Sequence, residues 1–144
     1  MPILNYTTKI QVAKTVAQIQ EKLAKAGAQS VLTEYGVDGC IAAMSFRMLY
    51  NGVLVSFRLP ARLDPIYAIL QTDCKVPYKL KTREQAARVA WRIIKDWIEA
   101  QLAIVEAEQV EMVEVFLPFA QNPKTGDTVF KQLSEGGFKL LTHD

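Results

Sequence analysis

The dipeptide Asn51-Gly52 constrains the fold of this chain more than any other pair of residues. A two-residue type I′ turn needs positive φ at both central positions, and Asn and Gly tolerate such angles better than other residues. A turn of this kind fixes the register of both flanking runs. The pairs that share one face are all apolar: Tyr50 with Val53, Met48 with Val55, Phe46 with Phe57, and Met44 with Leu59. Because a one-residue slip would expose all of them together, the sequence predicts a buried sheet face.

The opposite face of the same hairpin is more polar. It pairs two leucines near the turn and Arg with Ser farther from it: Leu49 with Leu54, Arg47 with Ser56, and Ser45 with Arg58. A looser turn over residues 36–39 adds an earlier strand over residues 31–35 and completes a three-stranded antiparallel meander. This strand is expected to place Val31, Thr33 and Tyr35 beside Met44, Ala42 and Cys40 on the buried face. Cys40 is therefore expected in the core.

Helical patterns lie on both sides of the meander. Apolar residues recur every three or four positions over residues 12–26, which predicts an amphipathic helix that Gly27 ends. After the meander, Asp64-Pro65 combines an N-cap with a proline at the first helical position. This dipeptide predicts a short helix that continues to about residue 71.

A long helix is predicted from Arg83 to about Phe116, and Thr82 with Gln85 matches the capping box that would start it. Two adjacent apolar stripes cover roughly half of its circumference. A helix of that length would extend about 50 Å, whereas a compact domain of this size has a radius of gyration of only ~15 Å. Either the helix is broken near Gln109, or its far half packs against another copy of the chain.

These elements predict an α+β fold in a single domain over residues 1–144. Their order is an N-terminal helix, a three-stranded antiparallel meander, a short helix and a long C-terminal helix. The long helix over residues 83–116 is expected to contribute to a homo-oligomer, by default a dimer because two-fold assemblies are the commonest. The expected interface residues are Trp91, Ile94, Ile98 and Val105. Packing against the sheet is the alternative interpretation of Trp91 and of nearby Trp97.

Few residues offer catalytic or metal-binding chemistry. The chain has two cysteines, Cys40 and Cys74, and one histidine, His143. Ser-His-Asp catalysis, Cys-His catalysis and the usual structural zinc sites therefore lack the residues they need. Glu99 and Glu106 are spaced to bind a hard divalent cation, but a solvent-facing helix stripe is the favoured interpretation. We expect a protein that is not an enzyme, with no catalytic residue, metal or cofactor.

No targeting segment is recognisable in the sequence. Lysines are spread through residues 1–28 without the continuous apolar core of a signal peptide, and no window is long and apolar enough to span a membrane. We therefore expect a cytoplasmic protein, with no membrane partner and with both thiols reduced.

Charge nearly cancels over the whole chain but is unevenly distributed. The 17 Lys and Arg against 15 Asp and Glu leave a net charge of +2, which by itself implies neither nucleic acid nor membrane. Residues 58–95 nevertheless contain nine basic and three acidic residues, whereas residues 96–117 contain six acidic residues and no basic one. The predicted long helix is therefore positive in its N-terminal half and negative in its C-terminal half. A helix macrodipole favours the opposite arrangement, so helix stability does not account for this distribution of charge.

The basic stretch predicts a phosphate-binding surface. Its centre is the connector over residues 75–81, which Pro77 predicts to be extended and in which Tyr78 is available to stack on a base. The expected nucleic-acid-binding residues are Arg47, Arg58, Lys75, Tyr78, Lys79, Lys81 and Arg83. A solvated surface, or electrostatic register between two antiparallel copies of the long helix, is the alternative interpretation.

Three segments resemble a family of small uncharacterised proteins encoded by phages and prophages. They are Asn5-Tyr6-Thr7-Thr8, the run RVAWRIIKDWIEAQ over residues 88–101, and Val115-Phe116-Leu117-Pro118-Phe119. The resemblance covers nearly the whole chain and implies a viral or mobile-element setting, in which small proteins often assist replication or recombination or inhibit host defence. The family has no established activity, so the resemblance implies no catalytic residues. The order of helix, meander and helix is also similar to a double-stranded-RNA-binding domain.

The function we expect is that of a non-enzymatic phage or prophage accessory protein. It would be oligomeric and would bind nucleic acid through the basic surface of sheet and connector. The alternative is an inhibitor or sequestering protein. Its target would be either a host defence factor, which is a protein of the host cell, or a signalling nucleotide. Salt-sensitive binding to DNA or RNA distinguishes the two, because phosphate contacts weaken steeply with salt.

Overall fold

A computed structural model describes residues 2–143 as a three-stranded antiparallel sheet with helices packed on one of its faces. The elements are α1 (Val12–Lys25), β1 (Ser30–Tyr35), β2 (Ile41–Tyr50), β3 (Val53–Pro60), α2 (Leu63–Thr72), α3 (Arg83–Glu106), α4 (Met112–Phe116) and α5 (Val129–Glu135). Short 3₁₀ turns cover Tyr78–Leu80, Leu117–Phe119 and Lys139–Leu141. The predicted α+β order is confirmed. Within the described residues, no helix has the length and apolar character needed to cross a bilayer.

The hairpin register predicted from Asn51-Gly52 is confirmed. Both turn residues have positive φ, 50° at Asn51 and 81° at Gly52, and all four predicted apolar pairs stand opposite each other. Phe46 and Phe57 stack at the centre of the buried face, with their ring centroids 4.9 Å apart. Contacts across this rung help to hold β2 against β3.

The pairing of β1 differs from the prediction by two residues. Thr33 stands opposite Met44, where Val31 was expected, and the register shifts again near the end of β1. The turn before β2 is longer than four residues and includes Cys40, whose side chain is exposed. The expectation that Cys40 lies in the core is therefore wrong.

The core lies between the sheet and a layer formed by α1 and α3. Residues at three- and four-residue spacing along α1 are buried, and this helix ends at Lys25, two residues before Gly27, which has a left-handed φ of 107°. Fully buried side chains of this core include Phe46, Phe57, Trp91, Ile98 and Phe116. A smaller cluster joins α2 to α3 through Leu70, Val76 and Ala86. Burial of these apolar surfaces is the main force that holds the layers together.

The predicted long helix is in fact two helices. α3 ends at Glu106, Glu108 adopts a left-handed φ of 60°, and the backbone amide of Gln109 donates to the carbonyl of Ile104. This bond spans six residues and is the Schellman arrangement that ends many helices. Of the two alternatives drawn from the sequence, a break near Gln109 is the one observed.

The break returns the C-terminal part of the chain to the same core. Trp91 and Ile98 have no exposed surface, so they pack within the chain and offer nothing to a second copy. Ile94 and Val105 keep part of their surface exposed. The length of a straight helix was the reason to expect an oligomer, and the break removes that reason. A homo-oligomer stays a prediction.

The connector between α2 and α3 is compact rather than extended. α2 begins at Leu63, so Asp64 lies in its first turn and is not the N-cap that was predicted. Residues 78–80 form a 3₁₀ turn, and Val76 is buried between α2 and α3. Because burial of Val76 folds the connector back onto these helices, its lysines lie near the start of α3.

Candidate nucleic-acid interface

The side chain of Gln85 joins the N-terminal segment to the first turn of α3. Only 2% of Gln85 is exposed. Its side-chain nitrogen donates to the carbonyls of Tyr6 at 2.8 Å and Thr8 at 2.9 Å, and its side-chain oxygen accepts from Nε of Arg88 at 2.9 Å. Thr82 caps the same turn by accepting from the backbone amide of Gln85. These contacts hold the residues that precede α1 beside the start of α3.

α1 and α3 run parallel, with their N-terminal ends together. Three contacts advance along both segments in the same direction: Thr8 with Gln85 at 2.9 Å, Gln18 with Arg92 at 2.7 Å, and Lys22 with Glu99 at 3.1 Å. The N-terminal end of a helix carries a partial positive charge. Both helices therefore direct that charge to the same corner of the molecule.

A groove of about 450 Å³ lies at this corner, between the N-terminal segment and the connector, and we call it the helix-end groove. Its lining residues are Thr7, Thr8, Lys9, Gln11, Pro77, Lys79, Leu80, Gln85 and Arg88. Three of them are cations, and none of the described lining residues carries a carboxylate. Among residues 2–143, no carboxylate oxygen lies within 4 Å of the charged groups of Lys9, Lys79 or Arg88.

Positive charge continues from the helix-end groove along the seam between α1 and α3. Lys14 is exposed on α1, about one helical turn beyond Gln11. On α3, Arg92 lies about one turn beyond Arg88 and donates to Gln18 of α1. The basic surface is therefore longer than the groove itself.

Three of the predicted binding residues are exposed in the connector at this corner. They are Lys75, Tyr78 and Lys79, and Tyr78 is 91% exposed. Of these three, Lys79 lines the helix-end groove. An exposed aromatic ring beside a lysine has the chemistry needed to stack on an unpaired base.

Lys81 and Arg83 lie at the same corner but hold α2 against α3. The ammonium of Lys81 donates to the carbonyl of Gln71 at 3.2 Å. The guanidinium of Arg83 donates to the carboxylate of Asp64 at 2.9 Å and lies 5.3 Å from the centre of the Tyr67 ring. The hydrogen bond to Asp64 raises the pKa of Arg83. Both cations therefore have a structural role besides any contact with a ligand.

Arg47 and Arg58 lie on a different surface. They project from the sheet face opposite to the one that packs on α1 and α3, and we call this the exposed sheet face. Arg47 is exposed there, whereas Nε of Arg58 donates to the carboxylate of Glu34 at 2.9 Å. Neither arginine lines the helix-end groove, so the structure does not join them to the connector surface as expected.

Lys9 and Arg88 line the helix-end groove but were not predicted from the sequence. Lys9 precedes α1, and Arg88 is one of several charged residues of α3, so no local pattern distinguishes either residue. They meet because Gln85 binds the N-terminal segment and Arg88 together. The Thr82 and Gln85 motif was the available signal, but it was interpreted as a helix cap alone.

Apart from Glu84 in its first turn, the acidic residues of α3 lie in its C-terminal half. Glu99 is 2.6 Å from the ammonium of Lys95 and 3.1 Å from that of Lys22. Hydrogen bonds from Lys95 and then Lys22 hold the pKa of the Glu99 carboxyl below its usual value. Tyr50 donates to Glu111 beyond the helix break, and this bond raises the pKa of Tyr50. In the part of the chain that the structure describes, no group of three or more His, Cys, Asp or Glu side chains is placed to hold a metal ion.

No protein-family model, no curated protein and no solved structure matches this chain. Its function is therefore inferred from the chemistry of its own surfaces. The helix-end groove combines a concave shape, three cations and two helix N-terminal ends. A concave surface with this positive charge is complementary to a phosphate group.

Proposed function

We propose that this chain is a non-enzymatic protein that binds nucleic acid, with backbone phosphates held in the helix-end groove. The observation that carries the proposal is the set of Lys9, Lys79 and Arg88, which line one groove without an acidic residue among its described lining. Each cation that neutralises a phosphate releases condensed counterions, and this release is a major source of affinity for a polyanion. The adjacent N-terminal ends of α1 and α3 add partial positive charge.

We propose a strand with unpaired bases as the preferred ligand. Tyr78 is almost fully exposed and adjoins Lys79 in the chain, so a base next to a bound phosphate can reach its ring. Stacking of a base on an aromatic side chain contributes about 1–3 kcal/mol. Bases of a duplex are already stacked on each other, so single strands should bind more tightly than duplexes of the same length.

In the phage or prophage setting that the sequence resemblance implies, such a protein would act as an accessory to replication or recombination. Whether it acts as the homo-oligomer expected from the sequence is decided by light scattering at micromolar concentration. A protein that sequesters a host factor or a signalling nucleotide is the alternative function, and it applies if nucleic acid is not bound.

Fluorescence anisotropy with labelled single- and double-stranded DNA and RNA tests the proposal. The expected result is binding of single strands that weakens steeply between about 50 and 200 mM salt. Three phosphate contacts to a single strand correspond to a slope of about −2 in a plot of log affinity against log salt concentration. If none of these nucleic acids shows salt-sensitive binding at low ionic strength, the proposal is overturned and the sequestering function takes its place.

A further inference from the structure

A second concave site lies on the side of α3 that faces away from the helix-end groove. It is a cavity of about 840 Å³ between the end of β3, α2, the middle of α3 and the segment that follows α4, and we call it the lateral cavity. Small-molecule sites in proteins commonly measure about 300–1,000 Å³. The lateral cavity therefore has the size of such a site.

The walls of the lateral cavity are apolar and come from several elements. The large apolar lining residues are Ile66, Ile93, Ile94, Phe119 and Phe130. Trp97 fixes one wall, because its ring packs against that of Phe119 with the centroids 5.5 Å apart. Phe130 is 56% exposed, so a large aromatic ring faces water at a place where a ligand would cover it.

The charged lining of the lateral cavity is mainly positive and consists of Arg58, Arg62, Lys131 and Asp127. Arg58 is paired with Glu34, and Lys131 lies 3.0 Å from Asp127. In contrast, no carboxylate oxygen of residues 2–143 lies within 4 Å of the Arg62 guanidinium. A guanidinium without a carboxylate partner, at the edge of an apolar cavity, is complementary to one anionic group.

We propose that the lateral cavity binds a small organic anion, a molecule with an apolar or aromatic body and one carboxylate, sulfonate or phosphate group. The apolar body covers Phe130 and packs between Ile93 and Phe119, while Arg62 donates to the anionic group. Apolar burial supplies the affinity, and the guanidinium supplies orientation and selectivity for charge. This site does not depend on the proposed nucleic-acid binding, since it shares no lining residue with the helix-end groove.

Two fluorescent probes with the same ring systems test this assignment. 8-Anilinonaphthalene-1-sulfonate has an apolar body and one sulfonate, whereas N-phenyl-1-naphthylamine has the same body without the sulfonate. Both should bind the folded chain saturably, and the anionic probe should bind about tenfold more tightly because a charge-assisted hydrogen bond adds to the apolar contact. Absence of saturable binding of the anionic probe would overturn the proposal.

Three variants locate the binding, and thermal melting checks that each is folded. Arg62→Gln should weaken binding of the anionic probe about tenfold and leave that of the neutral probe within about twofold. Phe130→Ala should weaken binding of both probes, because it removes part of the apolar wall. Arg47→Gln removes the same charge from the exposed sheet face and should change neither affinity. If Arg62→Gln and Phe130→Ala both leave the affinities unchanged, the probes bind elsewhere and the proposal is overturned.

Discussion

The rings of Trp97 and Phe116 lie 5.5 Å apart and nearly perpendicular, at 88°, although the sequence pattern places both residues in one helix. In a straight helix they would be about 28 Å apart along the axis. The chain reverses between them, and Phe116 returns to a fully buried position against Phe46. The left-handed conformation of Glu108 ends α3 and makes this reversal possible.

Replacement of Glu108 by glycine should stabilise the protein. The left-handed conformation costs a residue with a Cβ about 1–2 kcal/mol, and glycine avoids that cost. Because glycine also gains conformational freedom in the unfolded chain, we expect a net increase of about 0.5–1 kcal/mol in the free energy of unfolding. Urea denaturation measures this difference.

Glu108→Ala is the matched control, because alanine removes the same charge but keeps the Cβ, and it should give no such gain. If α3 and α4 formed one continuous helix, Glu108 would lie in its interior. Glycine at that position would then lower stability by about 1 kcal/mol instead of raising it. A less stable E108G variant would therefore contradict the break between α3 and α4.

Phe57 lies at the centre of the core, stacked on Phe46 and edge-on to Phe116. Phe57→Ala should lower the free energy of unfolding by about 3–5 kcal/mol, because it removes a fully buried ring and leaves a cavity. Leu54→Ala, on the exposed sheet face of the same strand, should lower it by less than about 1 kcal/mol. Equal losses in the two variants, measured by urea denaturation, would show that β3 has another register.

The hairpin could be predicted from the sequence because local chemistry determines it. Asn51-Gly52 specifies the turn, and the alternation of apolar residues specifies the buried face, so one dipeptide determines the whole ladder.

The helix break could not be predicted in the same way. Glutamate seldom adopts positive φ, and no glycine or proline marks the position of Glu108. Burial of Phe116, which is a tertiary requirement, determines where the chain turns.

The candidate site could be predicted only in part, for a similar reason. Lys79 belongs to a basic run that is visible in the sequence, and it does line the helix-end groove. Lys9 is far from that run in the chain and reaches the groove only because Gln85 holds the N-terminal segment against α3. Cys40 is exposed because the turn between β1 and β2 is longer than predicted. The glycines of this turn do not specify its length, which also depends on packing.

Gln85 should therefore contribute to the stability of the fold and to the order of the N-terminal segment. Gln85→Met keeps the approximate shape of the side chain but leaves the carbonyls of Tyr6 and Thr8 without their donor. We expect the free energy of unfolding to fall by about 1–3 kcal/mol, and amide hydrogen exchange over residues 5–9 to accelerate. Gln132→Met, on the exposed surface of α5, should change stability by less than about 0.5 kcal/mol. If the two variants behave alike, the N-terminal segment is held by other contacts.

The ion pairs of Glu99 should make stability depend on pH. Contacts with Lys95 and Lys22 lower the pKa of the folded carboxyl, so the stabilisation is present above the unfolded pKa and is lost as pH falls through the folded pKa. Since the Glu99 side chain is 36% exposed, the contribution should stay below about 1 kcal/mol. The stability difference between the wild type and Glu99→Gln, measured by urea denaturation, should therefore shrink between pH 7 and about pH 3. A difference that does not vary with pH would contradict these pairs.

The helix-end groove permits a charge-matched test of nucleic-acid binding. The groove variant replaces Lys9, Lys14 and Lys79 by alanine. The control variant replaces Arg47, Lys124 and Lys139 by alanine. All six side chains are exposed, and each variant loses three positive charges. General attraction to a polyanion therefore falls by the same amount in both.

The groove variant alone should lose specific interactions with phosphates. Its affinity for single-stranded DNA or RNA should fall, and the plot of log affinity against log salt concentration should flatten by about 0.7 for each phosphate that is no longer neutralised, or about 1.4 for the two groove cations Lys9 and Lys79. The control variant should keep nearly the wild-type slope. Anisotropy titrations at low and high salt measure both slopes, with thermal melts to show that each variant is folded. Equal reductions in the two variants would show that net charge and not the groove drives binding, and would contradict the proposed site.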